Sequence, residues 1–275
     1  MPRPNLHIAQ ALLVSDARGV RVVARSEGFD EPEAERIAVL FGSRPPGVAC
    51  PLAHFACPFA RRRVAVATVA DQPDGSLGFR ILVLDRHLYE HLGDPFAIAD
   101  RFSVDWTAKG SLPVLDWPEE VLPPRRVEQL QEILKTGDTS LLLGSTQVLV
   151  DGGRVLLKRD APDEAFFRGL WQLLPSRTRI DLWPASFAFS DELGFHAAAM
   201  PALPTDPNRV RHSEDNLRDY PQSRYELHLQ IAVEAGDQRE LDRLLARRTS
   251  DDTIRLALTI IGLALVLAVV FKFVL

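Results

Sequence analysis

The chain has 275 residues, of which 46% are hydrophobic and 25% are charged. This composition excludes wholesale disorder and collagen-like or mucin-like repeats, and the length is enough for one or two domains. A formal net charge of −5 argues against a nucleic-acid-binding surface as the main purpose, because phosphate binding needs an excess of Lys and Arg. The two cysteines, Cys50 and Cys57, are too few for a disulfide framework and suit a reducing compartment.

Residues 1–101 are predicted to form an α+β domain. The segments 6–15 and 19–25 are rich in Val, Leu and Ile and flank a turn-like Asp-Ala-Arg-Gly sequence, which predicts a β-hairpin. Residues 31–41 then place apolar side chains at helical spacing behind Asp30, a suitable N-cap, so a short helix is expected to cover the sheet.

A second hairpin is predicted from residues 63–69 and 79–84, because the Asp-Gln-Pro-Asp-Gly sequence between them favours a turn. Strands on both sides of one helix, joined by hairpins, favour a largely antiparallel or mixed sheet. Residues 102–124 combine four prolines with two tryptophans, which neither a helix nor a central strand tolerates well. We therefore expect a linker between domains there.

The next stretch, 125–200, is predicted to be a second α+β unit with a largely antiparallel sheet. Its expected helices are 125–135 and 163–174, and its expected strands are 155–158, 180–189 and 195–199, with an apolar segment at 141–150.

Residues 201–223 are polar and proline-containing, which predicts a linker without regular structure. Residues 224–249 are predicted to form a helical hairpin, in which Gly236 ends the first helix and Asp237 caps the second. The predicted helices are 226–235 and 237–248.

Residues 254–275 are predicted to form a transmembrane helix. No charge interrupts 256–271, the segment is apolar around its whole circumference, and twenty residues of helix reach about 30 Å, the thickness of a bilayer core. The alternative is a helix buried at the centre of a fold. The proposed anchor residues are Leu256, Ile260, Gly262, Leu265, Val269, Phe271 and Lys272, the last of which would reach the headgroups.

Arginines precede the uncharged stretch 256–271 at 243, 247, 248 and 255, whereas Lys272 is the single cation that follows it. The positive-inside bias then places the bulk of the chain in the cytoplasm. These features predict a single-pass, tail-anchored protein with membrane lipid as one partner.

No phosphate-binding loop, dinucleotide glycine motif, Gly-x-Ser-x-Gly elbow or His-Glu-x-x-His helix occurs in the sequence. The sequence His87-Leu88-Tyr89-Glu90-His91 fits the inverted zinc-protease pattern His-x-x-Glu-His. If 86–92 is helical, His87 and His91 share a face and can bind one zinc ion, with Glu90 as proton acceptor and Glu164 as a third ligand. A solvated helix face with the leucines turned inward explains the same residues and is favoured.

Other residue clusters are weaker candidates. Cys50, His54 and Cys57 would leave a fourth zinc position unfilled, so core packing is favoured. The basic run 61–63 would meet phosphate or acidic lipid, but a solvated strand edge explains it better. Arg177 and Arg179 lie between two tryptophans, which suit a core better than a pocket; these are Trp171 and Trp183.

Three passages carry a resemblance to a known family. They are 6–29, with Ala-Gln-Ala-Leu and Val-Ala-Arg-Ser-Glu-Gly-Phe; 78–102, with Leu-Val-Leu and Gly-Asp-Pro-Phe; and 166–189, with Leu-Trp-Gln-Leu-Leu-Pro-Ser-Arg-Thr-Arg. Together they resemble the amino-terminal and middle domains of bacterial GTPase-associated adaptor proteins from predicted conflict, or immune, systems. The resemblance covers residues 6–200 at most. It implies an adaptor that couples a GTPase or similar partner to other components, and it implies no catalytic residue.

The sequence therefore predicts a non-enzymatic, cytoplasm-facing adaptor or scaffold. It would recruit a protein partner, with a GTPase as one candidate, to a membrane, without a cofactor and without nucleic acid. The alternative is a membrane-tethered zinc hydrolase that uses His87, Glu90 and His91.

Overall fold

A computed structural model describes residues 6–60, 62–118, 121–204, 214–220 and 224–247. Within these ranges the chain forms ten strands and ten helices. The strands are β1 (His7–Asp16), β2 (Gly19–Arg25), β3 (Ala53–Phe59), β4 (Arg63–Asp71), β5 (Leu77–Asp85), β6 (Gly110–Ser111), β7 (Leu115–Asp116), β8 (Val155–Lys158), β9 (Pro184–Ala185) and β10 (Ala197–Met200). The helices are α1 (Glu31–Leu40), α2 (Arg86–Leu92), α3 (Pro95–Arg101), α4 (Val127–Thr136), α5 (Thr139–Val150), α6 (Glu164–Leu173), α7 (Ser176–Arg179), α8 (Glu214–Arg218), α9 (Arg224–Glu234) and α10 (Gln238–Leu245).

The strands form one mixed sheet in the order β6-β2-β1-β5-β4-β3-β9-β10-β8, with β7 paired to the start of β1. From β2 to β9 in this order each strand is antiparallel to the next, whereas β6 is parallel to β2 and β10 is parallel to both β9 and β8. The chain is thus α+β. The sequence left open whether the two predicted units share a sheet, and they do, because Phe55 of β3 pairs with Ala185 of β9 and joins both halves in one mixed sheet.

The sheet is buried on both faces. In β4, Val64 and Val66 belong to a cluster that includes α2, whereas Ala65 and Ala67 belong to the larger core that includes α1. This alternation is the two-residue period of a strand, and a strand covered on both sides reads in sequence as a nearly continuous apolar run.

Both predicted β-hairpins and the first helix are confirmed. The β1–β2 turn lies at Asp16–Gly19, and the helix α1 begins at Asp30, whose side chain accepts a hydrogen bond from the backbone of Glu33. In the β4–β5 turn, Asp74 accepts a hydrogen bond of 3.0 Å from the backbone of Ser76, and Gly75 has φ +83°. Local turn and cap chemistry therefore determines these elements.

The predicted strand 180–189 is wrong over most of its length. The helix α7 precedes it, and only Pro184 and Ala185 join the sheet. The backbone of Trp183 donates to the His196 ring at 3.1 Å instead of to a strand. Conversely β3, a strand near the middle of the sheet, was not predicted. His54 and Pro58 interrupt its apolar pattern, so its residues were interpreted as core without an assigned element.

The helical hairpin is confirmed as α9 and α10, with Asp237 capping α10 through the backbone of Glu240 at 3.0 Å. It is packed against the second half of the chain. Gln238 accepts a hydrogen bond from the backbone of Val127 at 2.8 Å, and the Tyr225 hydroxyl donates to the Leu173 carbonyl at 2.6 Å. The hairpin is thus part of the main body of the fold.

The predicted membrane-spanning helix is not supported. Among the described residues no helix is both long enough and apolar enough to cross a bilayer. The longest of them, α5, has 12 residues and so reaches about 18 Å, well short of about 30 Å. The predicted segment 254–275 and its anchor residues lie outside the described residues. The prediction of a tail-anchored, single-pass protein facing the cytoplasm is therefore corrected, and the membrane has no part in the function proposed below.

The predicted linker 201–223 contains helix α8, whose Leu217 is fully buried. This helix lies directly on Gly144 of α5, where a Cβ atom would overlap the Leu217 carbonyl group. We predict that Gly144→Ala lowers the free energy of unfolding by about 1–3 kcal/mol, because backbone must move to admit the methyl group.

Chemical denaturation measures this loss, and hydrogen exchange should show it concentrated in α8. The matched control is Gly169→Ala in α6, where a Cβ atom would meet only side-chain atoms, Ile133 Cγ2 at 3.0 Å and Leu142 Cδ2 at 3.6 Å. Equal effects of the two substitutions would contradict the proposed packing of α8.

Candidate functional site

A cleft opens where the proline-rich segment 121–125 passes the ends of several helices. It has two lobes, of about 290 and 480 Å³, and the residues common to both are Leu122, Pro123, Pro124, Arg125 and Arg179. We call it the arginine cleft and define it by these five residues. Consecutive prolines lack backbone N–H donors and fix φ, so this segment forms a wall instead of joining the sheet or a helix.

Arg125 holds the walls of the cleft together. Its guanidinium donates to the carbonyl oxygens of Gln172, at 2.9 Å, and Leu174, and to the Ser176 hydroxyl, at 2.7 Å. These carbonyls are at the carboxy-terminal end of α6, where the helix leaves acceptors unpaired and its dipole favours a cation. Burial lowers the pKa of Arg125 to about 9, with a contribution from the nearby positive charge of Arg179, and the side chain stays cationic at neutral pH.

Arg179 is less well paired than Arg125. Its side chain is 12% exposed, its Nη1 lies 3.9 Å from the Asp94 carboxylate, and its Nη2 donates a long hydrogen bond of 3.4 Å to the Leu92 carbonyl. Its Nε is buried and has no hydrogen-bond partner in the described part of the chain, so a ligand in the cleft does not reach it. Burial lowers the pKa of this guanidinium as well. The weakly paired Nη groups are therefore the donors that Arg179 offers in the cleft.

Asp94 cannot fully neutralise Arg179, because its oxygens already accept other hydrogen bonds. One oxygen caps α3 by accepting from the backbone N–H groups of Phe96 and Ala97, each at 3.1 Å. The other accepts from the Gln172 side chain at 2.8 Å. The carboxylate is therefore committed to the helix cap and to α6.

The two lobes differ in chemistry. The smaller lobe adds His91, Ser176 and Asp242, together with apolar side chains that include Val121, which is 69% exposed. The larger lobe adds Asp94 and further polar residues of α4 and α6, namely Gln129, Glu132, Thr136 and Gln172. Both lobes contain the two arginines and apolar side chains, which in the larger lobe include Ala97 and Ile133. The smaller lobe has one acidic residue, Asp242, whereas the larger has Asp94 and Glu132, so the smaller lobe is the more favourable of the two for an anion.

The residues of the inverted zinc motif lie on helix α2, so the helix on which the motif depends is present. Asp85 caps this helix, and Gly93 ends it with φ +63°. His87 is highly exposed, and Glu90 is held by Arg86 at 2.8 Å, so its carboxylate already has a cationic partner. Within the described residues no group of three or more His, Cys, Asp or Glu side chains is arranged to hold a metal ion. His91 instead borders the arginine cleft.

Glu164, the third ligand suggested for that motif, belongs to a different, enclosed cluster. One oxygen accepts from the Ser186 hydroxyl and lies 2.9 Å from Nδ1 of His54, and the other pairs with Arg168 at 3.0 Å. Ser186 is fully buried and His54 is 5% exposed. The His54 ring nitrogen is close enough for an ion pair but is not aligned as a hydrogen-bond donor. Without access to a substrate, this cluster connects α6 to the sheet.

Cys50 and Cys57 are both buried free thiols. Burial raises the pKa of each to about 12, so neither is a ready thiolate ligand or nucleophile. His54 and Cys57 are three positions apart on β3 and so point to opposite faces, which separates the suggested Cys-His-Cys cluster.

In the basic run, Arg61 lies outside the described residues, and the Arg63 guanidinium lies 5.0 Å from the centre of the Phe59 ring.

Trp171 is fully buried and donates to the Gly93 carbonyl at 3.2 Å, as a core residue would. Of the two arginines considered as pocket residues between the tryptophans, Arg179 lines the cleft. Arg177 is exposed and is not among the residues that line it.

Sequence reasoning missed Arg125 and Asp94 as site residues. Asp94 precedes Pro95 as a helix N-cap, a signal of local structure that does not indicate a cleft. The Gly-Asp-Pro-Phe and Leu-Trp-Gln passages, quoted above for the family resemblance, nevertheless touch here through Gly93–Trp171 and Asp94–Gln172 hydrogen bonds.

No protein-family model matches this chain, and a search of curated proteins found no match either. The resemblance to GTPase-associated proteins therefore stays an expectation.

The Glu164 cluster makes stability depend on pH. Burial alone would raise the Glu164 pKa, but His54, Ser186 and Arg168 together lower it below its ordinary value of 4.5. The folded state thus binds this proton more weakly than the unfolded state, so the stabilisation is complete above about pH 4.5 and is lost as pH falls through the folded pKa.

We predict that Glu164→Gln flattens the acid limb of the stability–pH curve measured by urea unfolding. At neutral pH the substitution should cost about 1–3 kcal/mol, since the ion pairs are removed. The control is Glu128→Gln at an exposed position of α4, which should leave the curve unchanged. An acid limb as steep in Glu164→Gln as in the native chain would contradict this assignment.

Proposed function

We propose that this protein is a non-enzymatic adaptor that binds a protein partner at the arginine cleft. The observation that carries the proposal is Arg179, a nearly buried cation whose Nη1 lies 3.9 Å from the Asp94 carboxylate and whose Nη2 makes a long hydrogen bond of 3.4 Å to the Leu92 carbonyl. Desolvated donors that are poorly paired are costly, and a partner that supplies acceptors to the Nη groups lowers that cost.

The rim of the cleft supports the same function. Val121 is 69% exposed beside Pro123 and Pro124, so a partner can bury apolar surface there without displacing any of the residues that the structure describes. A buried polar anchor surrounded by apolar surface is the usual arrangement of a protein-binding hot spot.

The cleft is poorly suited to catalysis by an activated hydroxyl. Ser176 accepts its hydrogen bond from Arg125, and a guanidinium cannot remove a proton from the hydroxyl. Thr136 donates to the Glu132 carbonyl within α4, which leaves its proton engaged in the helix. The arrangement therefore favours binding over acyl or phosphoryl transfer.

A GTPase is the partner class suggested by the family resemblance. The contacts between the Gly-Asp-Pro-Phe and Leu-Trp-Gln passages at the wall of the cleft support placing the shared role at this site. The zinc hydrolase is not carried forward, because Glu164 lies with His54 and Ser186 and not beside His87 and His91.

We predict that Val121→Asp reduces partner capture about ten-fold or more, because a charge at the rim must lose its hydration when the partner binds. The full chain is immobilised, proteins retained from a lysate of cells that express it are identified by mass spectrometry, and each is purified and titrated directly.

Val39→Asp on α1 is the matched control, since Val39 is 61% exposed but is not among the residues lining the cleft. Support requires a protein that binds the native chain and Val39→Asp but not Val121→Asp. If every retained protein binds Val121→Asp equally well, the adaptor function does not reside in this cleft. Identification of the retained protein as a GTPase, or as something else, tests the partner class.

A further inference from the structure

The weakly paired Nη donors of Arg179 can bind an anion, and the charges around them determine how much negative charge that anion carries. Arg125 donates to Gln172, Leu174 and Ser176, so the weakly paired Nη groups of Arg179 are the available donors. Asp242 lines the smaller lobe, and Asp94 lies 3.9 Å from Arg179. The charges of these two carboxylates balance those of the two arginines, so a phosphate group with nearly two negative charges would find no matching excess of positive charge. A carboxylate carries a single charge and fits the planar guanidinium fork with paired hydrogen bonds.

The apolar part of the smaller lobe specifies what the carboxylate is attached to. Arg179 shares this lobe of about 290 Å³ with the side chains of Leu92, Val121, Leu122 and Leu245. The last residue of a protein chain carries its carboxylate and its side chain on the same Cα atom, so both reach such a lobe together. An internal Asp or Glu presents its carboxylate at the tip of the side chain, away from other apolar groups.

We infer that the smaller lobe of the arginine cleft binds the carboxy-terminal residue of the partner, an apolar residue whose main-chain carboxylate pairs with Arg179. Its side chain packs between Leu92, Leu122 and Leu245. This inference rests on the proposed adaptor function and defines the chemistry that the cleft recognises. Capture of the carboxy-terminal carboxylate is one of the recurring ways in which proteins recognise peptides.

Two peptide pools test the inference on the native, full-length chain. One pool contains random hexapeptides that end in Leu, Ile, Val or Phe with a free carboxylate, and the other has the same sequences with an amidated end. The immobilised chain should retain the free-acid pool about ten-fold more than the amidated pool, because amidation removes the charge-assisted hydrogen bonds. This comparison needs no substitution, so folding of a variant does not affect it.

Substitutions then assign the effect to Arg179. Arg179→Gln should abolish the preference for the free acid, and Arg179→Lys should keep part of it, because an ammonium retains the charge but loses the fork. Arg177→Gln is the matched control, since Arg177 is on the same short helix and exposed. Circular dichroism and the denaturation midpoint show that each variant is folded.

Three results would overturn the inference. The first is equal retention of the two pools, which includes the case in which amidated peptides bind through internal Asp or Glu. The second is a preference for the free acid that survives Arg179→Gln, and the third is displacement of the peptides by inorganic phosphate at low millimolar concentration. These failures are distinguishable from failure of the adaptor function. If a partner loses binding to Val121→Asp but binds Arg179→Gln as well as the native chain, the adaptor function is retained. Only the inference that a carboxylate of the partner pairs with Arg179 is then rejected.

Discussion

The continuation of the sheet from β3 to β9 is the constraint on which the rest of the structure depends. It consists of one residue pair, Phe55 with Ala185, reinforced by two hydrogen bonds of 2.8 Å between His54 and Ser186. Glu164 extends the junction by reaching from α6 to both of these side chains. Because of this junction, helices from the second half of the chain lie beside α2 and α3 from the first half. The two walls of the arginine cleft come from these two halves.

The cleft contains two arginines with opposite roles, although both are desolvated. Arg125 has its donors matched to carbonyl and hydroxyl oxygens at the end of α6, so it stabilises the architecture. Arg179 has a long hydrogen bond to Leu92 and a distant carboxylate, so it retains the capacity to bind. The two guanidinium groups differ in pairing because Asp94 caps α3, which directs its carboxylate towards that helix and Gln172. A helix cap in one half of the chain thereby creates the binding capacity of a residue in the other.

Elements governed by local chemistry were predictable from the sequence, and those governed by distant contacts were not. The hairpin β1–β2, the helix α1 and the hairpin α9–α10 carry their turn residues and caps within a few positions, and these predictions are confirmed. The strand β3 and the short β9 depend on neighbours far away in sequence, and both were misjudged. The segment at 254–275 was predicted to span a membrane from its length, its apolar circumference and the arginines around its start. The described helices include none that could cross a bilayer, so these local features did not establish a membrane protein.

By itself the sequence determined the composition class, the α+β character and the elements whose caps and turns are local, because a few neighbouring residues decide such features. It also singled out Arg179 by its position between two tryptophans, although as a minor candidate. Only the tertiary structure decided that Arg179 lies beside Asp94 and Arg125, and that Glu164 pairs with His54 instead of with His91. The physical reason is that burial and pairing are properties of residues brought together across the sheet junction, and no short-range pattern encodes which distant side chains will share a charge or a hydrogen bond.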